Sequence, residues 1–434
     1  MHEIEDGRGR ERAVLVGVCL PGEDPVLFEE SMEELALLSD TAGADEADRM
    51  AQNRSRPDAA TFVGSGFAER IGRTAAASDA DLVIFDDDLS PAQVKNLEQI
   101  IPVKIVDRSG LILDIFAERA KTREAKTQVE LAQLEYLLPR LTRAWSHLSR
   151  QVGGIGTRGP GETQLEVDRR LVRDRITELK KELSRIERQR ATRRRAREDF
   201  FRATLVGYTN AGKSTLLNAL TDAETFTEDR LFATLDATTR ALRLPEGPDV
   251  LLTDTVGFIR KLPPGLVASF RSTLEEAVVA DFLVHVVDAD HPHYEDHITS
   301  ANRVLEELGI LEKPTLMVFN KVDRLDEDAA RRIDAAYPRS AAVSALTGKG
   351  LGELVDRVVE QVRRQQTVLE LVIPHSRPDL ASSAYEMGAV LDRDDTASGT
   401  RLLVRTGRAR AGRLRSLVEE AEGASAEEKE AVVD

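Results

Sequence analysis

Cysteine is almost missing from this chain. The 434 residues contain one, Cys19, so no disulfide framework can form within the chain, and a reducing compartment, the cytoplasm, is expected. Long apolar runs are missing too. Nothing approaches the roughly eighteen consecutive apolar residues of a membrane helix, which leaves no membrane span to expect and suggests a soluble protein. The opening "MHEIEDGRGRER" is polar, and the "AVLVGVCL" after it is short and β-branched, a strand rather than a secretory leader. No internal repeat recurs at a fixed period. Positive charge is also in deficit: 60 Lys and Arg against 76 Asp and Glu give a formal charge of −16, which argues against a protein coated in nucleic acid.

That average hides one basic island. From Ala117 to Phe200 there are 21 Lys or Arg against 13 Asp or Glu, a local +8, which leaves −24 for the remainder. The densest part is "RQRATRRRARED", Arg188 to Asp199. A solvated helix face laced with i, i+4 ion pairs explains such a run. Its isolation within an acidic chain favours a polyanionic partner.

The length calls for several domains. Four units are expected: residues 1–108, 109–200, 201–365 and 366–434. The fold class is α/β throughout. In the first unit, short β-rich runs ("AVLVGVCL", "ATFVGSG", "DLVIFDD", "VKIVDR") alternate with helical stretches, the pattern of a small parallel α/β domain. In the second, Leu131, Leu134, Leu138, Leu141, Trp145 and Leu148 recur at helical spacing, as do Val172, Ile176, Leu179, Leu183 and Ile186. These are the stripes of an antiparallel helix pair whose tip is the glycine-rich "QVGGIGTRGPGETQ", residues 151–164. Pro139 should kink or break the first helix. Trp145 and Tyr136 read as packing for the pair. A second α/β region follows, then a small C-terminal α/β segment with strands "TVLELVIPH", "AVLDRDD" and "TRLLVRTG", helix "DLASSAYEMG" and a disordered acidic tail.

The tip loop holds Gly154, Gly156 and Gly159 in G-x-G-x-x-G spacing, which serves nucleotide phosphates only between a strand and a helix. Helices flank it on both sides, so it is not read as a nucleotide site.

The chemistry lies in the third unit. "GYTNAGKS", Gly207, Tyr208, Thr209, Asn210, Ala211, Gly212, Lys213 and Ser214, fits G-x-x-x-x-G-K-S between the apolar "ATLV" and the helical "TLLNAL". Backbone N–H groups of such a loop wrap a β-phosphate, Lys213 neutralises the β- and γ-phosphates, and the Ser214 hydroxyl ligates Mg²⁺. The base is specified further on. In "NKVD" (Asn320, Lys321, Val322, Asp323) a carboxylate can accept from both N1–H and the exocyclic amine of guanine, a donor pair that adenine lacks. At "SAL" the backbone N–H of Ala345, beside Ser344, can meet guanine O6. In "DTVG" (Asp254, Thr255, Val256, Gly257), Asp254 should reach Mg²⁺ through water and the Gly257 N–H the γ-phosphate. All of these motifs end strands, where ligands gather in such folds. GTP and GDP are the expected ligands.

The P-loop, "FATLDATTR", "DTVGFIRKLP", "NKVD" and "VSAL" resemble a translation-factor-class GTPase, and "GGIGTRGPGETQLEVDRR" before that domain is similar to the signature loop of the HflX family. The resemblance spans nearly the whole chain and is weakest at its C-terminal end. It implies a ribosome-associated GTPase that binds the large ribosomal subunit and splits or rescues stalled ribosomes, with the glycine-rich loop near the peptidyl-transferase centre and its rRNA. It also implies that Thr234 closes on Mg²⁺ and the γ-phosphate within Phe232, Ala233, Thr234, Leu235 and Asp236. Where many switch GTPases carry a water-orienting glutamine, this chain has Phe258. Asn210 matches the position that in several relatives holds K⁺, a cation able to supply charge at the phosphates. The catalytic set thus comprises Lys213, Thr234, Asp254, Gly257 and Asn210, with Ser214 and Thr234 on the metal. A GTP-gated RNA-binding or assembly protein is the alternative, and a monomer is expected.

Arg150, Arg158, Arg169 and Arg170 flank the tip glycines and are candidates to pair with RNA phosphates. His285, Asp288, Asp290, His291 and His293 invite a metal reading, but their position beside the nucleotide edge favours a loop-building role for Asp288.

Overall fold

The structure, a computed structural model, describes residues 10–141, 164–195, 200–221, 231–232, 234–245, 247–261, 271–396, 399–407 and 410–420. Its spine in the N-terminal unit is β1 (Glu11–Cys19), buried at six consecutive positions from Ala13 to Val18. Burial on both faces is what a near-continuous apolar strand requires. With β2 (Ala44–Asn53), β3 (Leu82–Phe85) and β4 (Lys104–Asp107) it forms a parallel sheet in the order β2-β1-β3-β4. Successive side chains of β1 serve opposite cores, as the strand period of two dictates. Ala13 and Leu15 pack with α1 (Pro25–Thr41) and α4 (Arg108–Arg119) through Met32, Leu35, Ile112 and Phe116. Val14 and Val16 pack with α2 (Ser65–Ala77) and α3 (Pro91–Glu98) through Phe67, Ile71 and Leu97. Side-chain caps start three of these helices: Asp24, Ser90 with Gln93 in a reciprocal capping box, and Asp107.

Two expectations differ from this architecture. "ATFVGSG" is not a strand: residues 60–64 form a turn, with an isolated bridge from Asp58 to Phe62, and Ser65 and Gly66 open α2. The missing strand is β2, the polar "ADEADRMAQN". An edge strand with one neighbour and an exposed face needs no apolar run, so a search for hydrophobic periodicity passes over it. The break placed after residue 108 also falls at the start of α4, whose Leu111, Ile112, Leu113, Ile115 and Phe116 belong to the N-terminal core.

The helix pair is therefore α5 (Arg123–Leu137) and α6 (Gln164–Arg195). α5 ends two residues before Pro139, although Leu138 keeps helical backbone as its C-cap and donates to the Leu134 carbonyl, so the proline stops the helix without forcing the preceding residue out of the helical region. Leu131, Ile176 and Leu179 form the seam, and Arg123–Glu182 and Glu130–Arg175 ion pairs fix an antiparallel register. Trp145 and the 151–163 stretch of the tip lie outside the described residues.

The third unit has a six-stranded sheet, order β10-β9-β8-β5-β7-β6, made of β5 (Phe201–Val206), β6 (Thr238–Leu242), β7 (Val250–Asp254), β8 (Phe282–Asp288), β9 (Thr315–Asn320) and β10 (Ala341–Ala342). All pairs are parallel except β6 with β7. Its helices are α7 (Lys213–Thr221), α8 (Arg271–Val279), α9 (Tyr294–Glu307), α10 (Glu327–Ala336) and α11 (Leu351–Gln365). β5 lies between β7 and β8, so the order reverses there, and the crevice at its carboxyl end is the ligand position of open α/β sheets. The C-terminal unit is an antiparallel β11-β13-β12 sheet, β11 (Thr367–Ile373), β12 (Ala389–Thr396) and β13 (Gly399–Thr406), with α12 (Pro378–Met387) and a helix α13 over 410–420 that the pattern had not suggested. No helix among the described residues is long and apolar enough to cross a membrane.

Candidate functional site

The P-loop turns out of β5 at Gly207, whose φ of 143° and close approach to Val286 admit no side chain: a Cβ there would stand 2.1 Å from the Val286 carbonyl oxygen. Gly257 is equally constrained, since its Cβ would lie 2.6 Å from Thr209 Cα and 2.9 Å from Lys213 Nζ. The two motif segments are joined by backbone, Phe258 N–H to the Gly207 carbonyl at 3.0 Å and Thr209 N–H to the Phe258 carbonyl at 2.7 Å. Phe258 itself is buried among Tyr208, Leu274 and Leu283, so its ring is a core group. Asn210, at φ 58°, is exposed.

Lys213 opens α7 with Nζ donating to the carbonyls of Gly207 and Tyr208. Burial pushes its ammonium down to about 8, with Asp254 pulling the other way. Ser214 Oγ donates to Asp254 Oδ2 at 2.5 Å and lies 2.7 Å from Thr234 Oγ1. Burial raises the Asp254 carboxyl, opposed by Lys213 and by hydrogen bonds from Ser214 and Thr234. Its Oδ1 is buried without a hydrogen-bond partner among the described residues. Three hard oxygen side chains, one with an orphaned carboxylate oxygen, suit Mg²⁺.

On the base side, Asn320 is a tie: Nδ2 donates to the Ala211 carbonyl and Oδ1 accepts from the Ala345 N–H, each at 2.9 Å. It fastens the P-loop to the "SAL" turn. Lys321, at φ 66°, pairs with Asp288 at 2.7 Å, and Val322 is buried. Asp323 is exposed, and a hydrogen bond from Ser344, then nearby Arg324 and Lys321, hold its carboxyl below the usual range. The carboxylate is thus exposed and favoured in its ionised form.

Sequence reasoning missed the interface between this site and the N-terminal unit. Arg108, 1% exposed at its side chain, pairs with Glu34 and, at 2.6 Å, with Asp86, and donates to the Arg260 carbonyl at 3.2 Å. Tyr208 of the P-loop donates to Glu34 and accepts from the Arg260 N–H at 2.8 Å. Arg260 reaches Glu30 at 2.6 Å, and Lys261 bridges Asp86 and Asp87 at 2.6 and 2.7 Å. Of the residues read as nucleotide-binding, Tyr208, Phe232, Leu235 and Asp236 thus direct their side chains into the domain interface: Phe232 and Leu235 share a core with Phe116 and Val129, and Asp236 bonds to Thr122. Ala233 is outside the described residues. Only the run of acids in "FDDD" hinted at a cationic partner.

The metal reading of the histidines also changes. His285 is buried and pushed down to about 4 by desolvation, while Asp288 and Asp290 pair with Lys321 and Arg324. His291 and His297 instead converge on Glu30 at 3.6 and 3.2 Å. His291 Nδ1 accepts the His293 N–H at 3.2 Å, which puts the ring proton on Nε2, the atom facing Glu30. That tautomer disfavours metal ligation by His291, and the cluster reads as an interdomain contact. Of the RNA candidates, Arg169 and Arg170 lie on α6, Arg170 exposed; Arg150 and Arg158 are outside the described residues.

Family profiles match along the chain: "GTP-binding GTPase N-terminal" over residues 29–117, "GTP-binding GTPase Middle Region" over 119–197, "50S ribosome-binding GTPase" over 202–321 and "HflX C-terminal domain" over 330–427. GTPase HflX of Magnetococcus marinus is 43% identical over 419 residues, 96% of this chain and 97% of that protein. GTPase HflX of Escherichia coli K12 is 44% identical over 385 residues, 88% and 89% of the two chains. Among solved structures, a GTP-binding protein from Sulfolobus solfataricus in complex with GDP is 25% identical with a TM-score of 0.42, covering 82% of this chain and 99% of that one. With that identity over nearly its full length, and the nucleotide motifs assembled at one sheet edge, the chain belongs to the HflX family of GTPases.

Proposed function

We propose that this GTPase hydrolyses GTP with Mg²⁺ in the cytoplasm and uses its nucleotide state to engage the large ribosomal subunit and split or rescue stalled ribosomes. The observation that carries the hydrolytic part is the oxygen cluster of Ser214, Thr234 and Asp254 beside Lys213, with Asp254 Oδ1 left unpartnered. A bound Mg²⁺ would neutralise charge developing on the β- and γ-phosphates. Lys213 binds the same phosphates, the Gly257 N–H orients the γ-phosphate, and Asp323 selects guanine. The ribosomal part is supported by the 50S ribosome-binding profile over residues 202–321 and by the basic helix pair. Arg150, Arg158, Arg169 and Arg170 are its RNA contacts in this reading.

The burial of Phe258 favours slow turnover by the free protein, because no side chain at that position reaches water. This keeps the rival reading, a GTP-gated RNA-binding protein with incidental hydrolysis, in play. Multiple-turnover hydrolysis with and without 70S ribosomes decides between them: stimulation together with loss of 70S particles supports splitting, and unchanged turnover supports the rival. K⁺ at Asn210 would supply the missing charge. Replacing Na⁺ by K⁺ should then speed hydrolysis, and Asn210→Ala should remove the difference; equal rates in both salts for the wild type would exclude that role.

A further inference from the structure

Residues 231–232 and 234–236 lie between the P-loop and the base of the helix pair, and their groups divide between the two. The Phe232 N–H donates to Thr209 Oγ1 at 3.1 Å, while its buried ring meets Phe116 of α4 edge-on with centroids 4.7 Å apart. Phe232 sits at φ 56°, a left-handed conformation that a bulky residue keeps only where its surroundings hold it. Leu231 and Leu235 enter the same core as Ala125 and Val129 of α5. Thr234 faces the other way, onto Ser214. Two residues later Asp236 accepts the N–H groups of Lys121 and Thr122 at 3.0 and 3.1 Å and the Thr122 hydroxyl. Thr122 is the N-cap of α5, its Oγ1 accepting from the Ala125 N–H at 3.1 Å. A carboxylate of the GTPase domain therefore sits at the positive end of α5 and satisfies two N–H groups just ahead of the helix.

We infer that Asp236 is a positioning residue through which closure of the 231–236 segment on the nucleotide sets the start of α5, and with it the helix pair. The inference rests on the placement of Thr234 at the magnesium site proposed above. Two residues of extended chain span at most about 7 Å, so Thr234 leaving Ser214 beyond the reach of that tether draws Asp236 off α5. The bonds that Asp236 makes are solvent-exposed, so releasing them strands no buried polar group and the contact can open and close. α5 is locked to α6 by the Leu131, Ile176 and Leu179 seam and by the Glu130–Arg175 pair. α6 has 32 residues, about 48 Å at 1.5 Å per residue. A tilt of about 5° at its base displaces its far end by about 4 Å.

Hydrogen exchange of the full chain with Mg²⁺ and either GDP or a non-hydrolysable GTP analogue tests this. The wild type should protect Lys121, Thr122 and the first turn of α5 more strongly with the analogue. Asp236→Ala should abolish that difference while nucleotide still protects the P-loop, and Thr122→Ser, which keeps the hydroxyl, should retain it. A wild type whose α5 ignores the nucleotide while its P-loop responds would overturn the inference, as would an Asp236→Ala variant that keeps the α5 difference. Thr234→Ala separates the underlying placement: it should erase the difference at both 231–236 and α5. If it leaves both intact, Thr234 is not at the metal and the inference falls with it; if only Asp236→Ala fails, the placement stands and the coupling does not.

Discussion

Single residues carry the proposed choice of ligand, and the motifs that hold them are the most legible part of the chain. Asp323 was readable because a short motif at a strand end fixes both a residue type and its place. Asp323→Asn should move preference from guanine towards xanthine, weakening GTP binding by about 2–4 kcal/mol, because the carboxylate that accepts from the exocyclic amine is gone and the amide can donate to a carbonyl there. Unchanged GTP affinity in a titration would remove the assignment. Residues whose role depends on a distant partner were not legible. His297 appeared in no motif, yet it is nearly buried between Glu30 and the Tyr208 ring, which stacks on it at 3.8 Å. Burial, then His291, Arg260 and His293, push it down to about 3. Its folded pKa thus lies below the unfolded value of about 6.5, so unfolding takes up a proton between these limits and stability falls as pH drops through that window. Acidification from pH 8 to pH 5 should cost about 2 kcal/mol through this group alone. Denaturant midpoints across that range should show a shallower slope for His297→Gln, and parallel slopes would assign the acid sensitivity elsewhere.

At the level of elements, periodicity found the helices and the buried strands and missed what periodicity does not encode. β5, β8 and the seam of α5 and α6 announce themselves as apolar runs or stripes, whereas β2 and β6 are edge strands with a single fully buried position each. The packing of α1 and α4 against the segment after β7 was equally hidden, since a buried ion pair joins charges 74 residues apart in the chain. Arg108 is the keystone of that junction. Arg108→Met should lower stability by about 3–5 kcal/mol, because it strands the buried Glu34 carboxylate and leaves the fully buried Asp86 with Lys261 as its remaining cation. Lys261 touches the same Asp86 but is a third exposed, and Lys261→Met should cost less than about 1 kcal/mol. Comparable losses for the two in chemical denaturation would contradict the weight given to Arg108.

For the molecule as a whole, the order of units could be read along the chain, but their mutual packing could not, because the groups that join them carry no local signal. What results is one continuous junction: the N-terminal unit holds Arg260 and Lys261, and the start of α5 holds Asp236, around a core shared by Phe116, Val129, Phe232 and Ile259. The helix pair leaves this junction with the chain's positive charge, so the sensing end and the charged end are different parts of one lever. Shortening the loop from Gly153 to Gly161 should therefore leave basal GTP turnover near wild type while removing most stimulation by ribosomes and any splitting. Arg158→Ala and Arg170→Ala should weaken ribosome binding and flatten its dependence on salt, since every phosphate no longer neutralised by an arginine keeps its counterion, and fewer counterions are released on binding. Nucleotide affinity should hardly change, because the bonds that shape the P-loop and tie it to the NKVD motif are made within the GTPase domain, Lys213 to Gly207 and Asn320 to Ala211. Sedimentation of 70S particles at two salt concentrations reads out both effects. A loop-shortened protein that splits ribosomes as well as its parent would make the tip a plain helical turn and move the site of ribosome binding to another face.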